Sequence, residues 1–120
     1  MQNNQCCTTV DICQNDIILT GYVCKKPTLR TTPSGKQVSD LLIACNFGKD
    51  KTAYIPAVAW GKYARKSGKF AVGTQVYITG RLQSRKYNKL TQDIDGKTFY
   101  EEKIAYELSA TTVESINNQY

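Results

Sequence analysis

Histidine is missing from this 120-residue chain altogether. That removes the side chain most used for acid–base work near neutral pH and a common ligand of transition metals. The five cysteines, Cys6, Cys7, Cys13, Cys24 and Cys45, are odd in number and irregular in spacing, with no paired C-x-x-C. A structural zinc site is therefore not expected, and the thiols are expected to be reduced. No Walker-type glycine loop and no nucleophile elbow occurs, and Glu101 and Glu102 point to opposite faces of a strand instead of converging as an acid–base pair. The chain is expected to be no enzyme and to carry no cofactor or metal. No apolar run approaches the length of a membrane span, and Met1-Gln2-Asn3-Asn4-Gln5 lacks the basic start and apolar centre of a signal peptide. A cytoplasmic protein with no membrane partner is the expectation.

Acidic residues are almost absent from the middle third. Residues 49–89 carry ten Lys or Arg and one Asp, against four and three in residues 1–48 and two and six in residues 90–120. The net charge of +6 is thus concentrated in one segment, which implies a local positive field for a polyanionic partner. A basic membrane-surface helix would need helical periodicity, but this segment reads mostly as strands. Val76 to Tyr87 is the clearest of them: Val76, Ile78, Gly80 and Leu82 alternate with Tyr77, Thr79, Arg81, Gln83, Arg85 and Tyr87. One face suits a core. The other interleaves guanidinium groups with aromatic rings, a pattern that neutralises phosphate and offers stacking platforms to bases. An ordinary half-exposed strand alternates in the same way, so the rest of the chain has to decide.

Length points to one domain with a real core. Residues 1–14 read as a tail in which Thr8 to Cys13 could add a short strand. The domain proper is expected over residues 15–110 and a short tail over 111–120. Ile17–Val23 is rich in β-formers and predicts the first strand. Thr32-Pro33-Ser34-Gly35 is a type I turn signal leading into a second strand over Gln37–Asn46. Ala53–Trp60 predicts a third strand, with Ile55, Ala57 and Ala59 on one face and Tyr54, Pro56, Val58 and Trp60 on the other. Pro56, with no N–H to give, predicts an edge or bulge position. Lys62–Lys66 reads as a short helix. After the fourth strand, Asp95-Gly96 predicts a two-residue hairpin, and Thr98–Leu108 predicts the last strand. Three strands, a short helix and two more strands make an all-β, five-stranded OB-fold barrel, with the helix between strands 3 and 4.

From about Ile17 to Leu108 the sequence closely resembles the bacterial single-stranded DNA-binding protein family. The resemblance is carried by Gly21, Pro27-Thr28-Leu29-Arg30, Thr32-Pro33-Ser34-Gly35-Lys36, Ala44 and Asn46. It continues through Tyr54 to Ala64, including Ala59-Trp60-Gly61-Lys62, then Gly80-Arg81-Leu82-Gln83-Ser84-Arg85, and ends on Glu102 and Ala105. It implies sequence-independent binding and protection of single-stranded DNA in replication, recombination or repair. It also implies self-association as a homotetramer or homodimer, and a place in the bacterial nucleoid or, for a viral or mobile-element protein, the host cytoplasm. Family stacking positions fall on Tyr54, Trp60 and Tyr87, and Phe47 is the nearest counterpart of a fourth.

Arg81, Arg85, Lys86 and Lys89 form a run without acids, and they are expected to contact phosphate. Lys49, Lys51 and Lys62 are expected to contribute, with Arg30 and Lys36 flanking a turn. Arg65, Lys66 and Lys69 read as a plain exposed helix face. The family as a rule ends in a long tail with an acidic tip that recruits replication and repair proteins. This chain ends at Ile116-Asn117-Asn118-Gln119-Tyr120, so recruitment through such a tail is not expected. Two rival functions use the same residues: a primosome-type assembly module with weak single-strand binding, and a binder of single-stranded RNA, since stacking and phosphate contacts do not exclude a 2′-hydroxyl.

Overall fold

The computed structural model describes residues 12–116. Its elements are β1 (Ile17–Val23), β2 (Thr28–Thr31), β3 (Gln37–Gly48), β4 (Lys51–Trp60), α1 (Lys62–Ser67), β5 (Gln75–Gln92) and β6 (Thr98–Ser115). Most of the possible strand over Thr8–Cys13 lies outside the described residues, and Ile12 and Cys13 have no regular structure.

Period-two alternation closes the sheet on itself. β1 pairs antiparallel with β5 from Ile17↔Gly80 to Tyr22↔Gln75, and at its far end also with β3 through Tyr22↔Ala44 and Val23↔Ile43. The strands run β1-β5-β6-β4-β3, and the β1–β3 contact completes a five-stranded barrel. A short parallel pairing, Ala57↔Leu108 and Val58↔Ser109, joins β4 to β6. Inside are Val23, Leu41, Ile43, Ala57, Ala59, Val76, Ile78, Leu108, Ala110 and Val113, the inward residues of every barrel strand. Two tight approaches need residues without a Cβ. A methyl at Gly21 would meet the Ala44 carbonyl oxygen at 2.6 Å, and one at Gly80 would meet that of Ser109 at 2.1 Å.

The turn at Thr32–Gly35 forms as expected. Gly35 N–H donates to the Thr32 carbonyl at 2.8 Å, with Gly35 at φ 88°. What precedes it differs from expectation. Thr28–Thr31 is a strand as well, pairing with β3 outside the barrel, so the helix follows the fourth strand instead of the third. All four β2 residues are exposed, so no apolar alternation marks the strand. The last strand also runs beyond the expected Leu108 to Ser115, pairing Val113 with Ile78 and Ser115 with Val76.

Pro56 was expected at an edge or bulge. It pairs with Leu42 of β3 just before the β4–β6 ladder begins at Ala57, where β4 is paired along one side only. A hairpin forms at Asp95-Gly96, but its loop runs over 93–97 and not over two residues: Gly96 N–H donates to the Asp93 carbonyl at 3.1 Å, so Ile94 and Asp95 make the turn, and Asp93 Oδ1 accepts from the N–H groups of Asp95 and Lys97 at 2.9 Å each. Beyond Leu82↔Leu108, β5 and β6 leave the barrel as an arm of roughly 30 Å.

Ser39 is buried on the inner side of β3, opposite Ala59, and its hydroxyl has no hydrogen-bond partner. An unsatisfied buried hydroxyl carries its desolvation cost with no return. Ser39→Ala is therefore expected to leave stability unchanged or raise it by up to about 1 kcal/mol. Urea denaturation checks this; a loss of stability would show that the hydroxyl is satisfied in solution.

Candidate nucleic-acid interface

The residues of β4 opposite its core face are Tyr54, Pro56, Val58 and Trp60, of which Val58 is buried and the other three are exposed. Six residues of strand set the two rings roughly 20 Å apart on one face, with Tyr54 62% and Trp60 41% exposed. They point outward because Ala57 and Ala59 point inward and are fully buried. Two cross-strand steps connect this row to β5: Val58 is in register with Ser109, and Ser109 with Arg81. Arg81, Gln83, Arg85, Tyr87 and Lys89 therefore continue the surface that begins at Trp60. The Arg85 guanidinium lies 5.8 Å from the centroid of the Tyr87 ring, a cation–π arrangement that orients both groups.

The expected phosphate contacts do not all gather there. Lys86 alternates onto the reverse side of the arm, in register with Ile104. Lys49 and Lys51 flank the β3–β4 turn, where Asp50 takes φ 58°. Phe47 belongs to that end as well. It is the extra residue in the bulge between Asn46↔Thr52 and Gly48↔Lys51, is 67% exposed, and is not in register with the Tyr54 row. Lys62 opens α1, with Nζ 5.2 Å from the Tyr63 ring centroid.

Arg30 reaches the face from β2, in register with Val38, which in turn faces Trp60. It is not free. Its Nε and Nη2 donate to Asp40 Oδ2 and Oδ1 at 2.6 and 3.1 Å. The hydrogen bond to Asp40 raises the Arg30 pKa above its ordinary value, Asp40's charge adds to this, and burial works against it.

Lys36 does lie beside Trp60. Together with Thr31, Gly35, Gln37 and Gly61 it lines an open groove, which Arg65 also lines. From the sequence, Arg65 is expected on a plain exposed helix face with Lys66 and Lys69. The structure ties it back: Arg65 N–H donates to the Gly61 carbonyl at 3.1 Å, and its Nη1 donates to Gln37 Oε1 at 2.9 Å. The signal was the spacing of about one helical turn between Gly61, immediately after Trp60, and residue 65. Lys66 instead pairs with Glu114. Among the described residues no three His, Cys, Asp or Glu side chains converge as a metal site, and no helix is long and apolar enough to cross a membrane.

A five-stranded barrel closed by β1 and β3, bearing a helix and a long β5–β6 hairpin, is an OB-fold, and here one outer face combines exposed rings with guanidinium groups. A family profile described as the single-strand binding protein family matches residues 14–116. The chain belongs to that family. It is 32% identical over 111 residues to single-stranded DNA-binding protein 2 of Listeria monocytogenes, covering 87% of this chain and 66% of that protein. It is 34% identical over 80 residues to the single-stranded DNA-binding protein of Clostridium tetani, covering 61% and 55% respectively. This chain thus spans under two thirds of the length of these relatives. The crystal structure of the wild-type single-stranded DNA binding protein from Thermus aquaticus superposes with a TM-score of 0.66 at 23% identity, covering 89% of this chain and 42% of that one. That likeness establishes the shared fold.

Proposed function

We propose that this chain binds single-stranded DNA without reading its sequence and keeps the bound strand from re-pairing or folding back. The observation that carries the proposal is the continuous outer face on which Trp60 and Tyr54 share a row with Val58, itself joined through Ser109 to Arg81. Guanidinium and ammonium groups draw in the strand and displace its counterions, while flat rings take up unpaired bases of any identity. In a duplex those base faces are already stacked, so the rings have nothing to receive.

In this reading Trp60, Tyr54 and Tyr87 stack, with Phe47 a further ring at the β3–β4 turn. Arg81, Arg85, Lys89, Lys36 and Lys62 attract phosphate, and Arg65 joins them through the Trp60 groove. Lys49 and Lys51 extend the basic surface at the turn, Lys86 serves the reverse side of the arm, and Arg30 acts through its Asp40 partner. A homo-oligomer, a tetramer or else a dimer, fits the same reading. Leu82, Leu90, Tyr100, Ile104 and Tyr106 leave the arm with more exposed apolar surface than a lone small barrel needs. Replication and repair are the processes in which such a coat is useful.

The test uses the single tryptophan. Titration with an oligo-dT strand is expected to quench Trp60 emission. Duplex DNA and RNA at equal phosphate concentration are expected to reverse the quenching only weakly. Duplex competing as well as oligo-dT would overturn the reading, and RNA competing best would move it to an RNA-binding one.

A further inference from the structure

Some cations of this face are already paired. Besides the doubly hydrogen-bonded Arg30–Asp40 pair, Arg85 Nε lies 3.5 Å from Glu107 Oε1, and the other Glu107 oxygen accepts from Gln83 Nε2 at 2.8 Å. The Glu107 side chain is only 11% exposed, so its charge is set into the sheet surface. Both acids lie inside the face and not at its rim. Asp40 is in register with Val58, between Pro56 and Trp60, while Glu107 is in register with Gln83, between Arg81 and Arg85. A surface built only to attract a polyanion gains nothing from carboxylates at its centre, since each repels phosphate and cancels a cation. Folding gains little from the Arg30–Asp40 pair either, because both partners are exposed.

We infer that Asp40 and Glu107 are built-in competitors for phosphate, holding Arg30 and Arg85 in the free protein and yielding them to the strand when it binds. The inference rests on the proposed single-strand binding at this face. The exchange has a distinct ionic signature. A phosphate that meets a free guanidinium sheds its counterion to solution. A phosphate that displaces a carboxylate also sheds one, but the freed carboxylate recruits a cation in return. Net ion release at that position is then close to nil, and the salt dependence is shallower than a count of cations implies.

The experiment measures the affinity of a fluorescent oligo-dT for the full chain across a salt series, for the wild type and for Asp40→Asn, Glu107→Gln and Glu114→Gln. Asp40→Asn is expected to bind tighter at low salt and to steepen the plot of log K against log salt by about 0.7. Between roughly 50 and 200 mM salt, that adds a further loss of about 2.5-fold. Glu107→Gln should act in the same direction. Glu114→Gln, which releases Lys66 outside the face, should leave the slope unchanged. Arg30→Gln should abolish the gain in the Asp40→Asn background while changing the wild-type slope little; a general charge effect would not depend on Arg30. Equal slopes for all variants, or weaker binding by Asp40→Asn, would overturn the exchange while leaving single-strand binding intact. A wild-type chain with no affinity for oligo-dT would overturn both.

Discussion

Replacing Gly80 by alanine is expected to destabilise the protein by at least about 3 kcal/mol. The added methyl would stand 2.1 Å from the Ser109 carbonyl oxygen, 2.9 Å from the Ser109 carbonyl carbon and 3.0 Å from Ala110 Cα. All three are backbone atoms of β6, so no side chain can swing aside. Relief requires parting β5 from β6 where the register already shifts between Thr79↔Thr112 and Gly80↔Ala110. Ile78, Leu108, Ala110 and Val113, all buried, pack around that point. In a thermal melt the loss corresponds to a Tm lower by roughly 10 °C or more. Gly48→Ala is the matched control, since its methyl would meet only the side chain of Lys51, at 3.6 Å. A cost below about 1 kcal/mol at Gly80 would mean that the two strands separate more easily there than their packing implies.

Removing both rings of β4 is expected to have the largest effect on binding. A stacked base is worth roughly 1–3 kcal/mol per ring. Tyr54 and Trp60 are roughly 20 Å apart along the strand, far enough for their losses to add. The Tyr54→Ala, Trp60→Ala double variant should thus lose roughly 2–6 kcal/mol of oligo-dT affinity, about 30-fold at the low end. Both side chains are exposed and sit opposite the core face of β4, so the fold should survive, which a thermal melt would verify. Fluorescence anisotropy with labelled oligo-dT reads the affinity. A double variant that folds normally and binds within about threefold of wild type would remove these rings from the interface.

The strands that alternate over many residues were legible without coordinates. Val76–Leu82 shows its two faces because Val76, Ile78 and Leu82 alternate with Tyr77, Thr79 and Arg81, and Asp95-Gly96 marks its own turn chemically. β2 was hidden because none of its four residues is buried. The end of β6 was hidden for a different reason. The register shift opposite Gly80 throws the pattern out of phase, so the buried positions run Leu108, Ala110 and then Val113, and the alternation that announces a strand is lost.

At the candidate site, Trp60, Tyr54, Arg81 and Arg85 could be assigned to outward faces from parity within single strands. Asp40 and Glu107 could not be set among them. Their proximity to Arg30 and Arg85 depends on β2–β3 and β5–β6 register, which the residues of one strand do not encode. Lys86 falls on the reverse side of the arm from Arg85, because a run of cations ignores the parity that sends neighbours to opposite sides.

The arm shares its backbone with the barrel wall, so its direction is set at the bulge. About 40 Å of strand separate Gly80 from Gln92. Over that length a bend of roughly 5° at the bulge carries the tip through about 3.5 Å, close to the spacing of two stacked bases. A small change of angle among Thr79, Gly80 and Thr112 would thereby be magnified into a nucleotide-sized displacement at the far end.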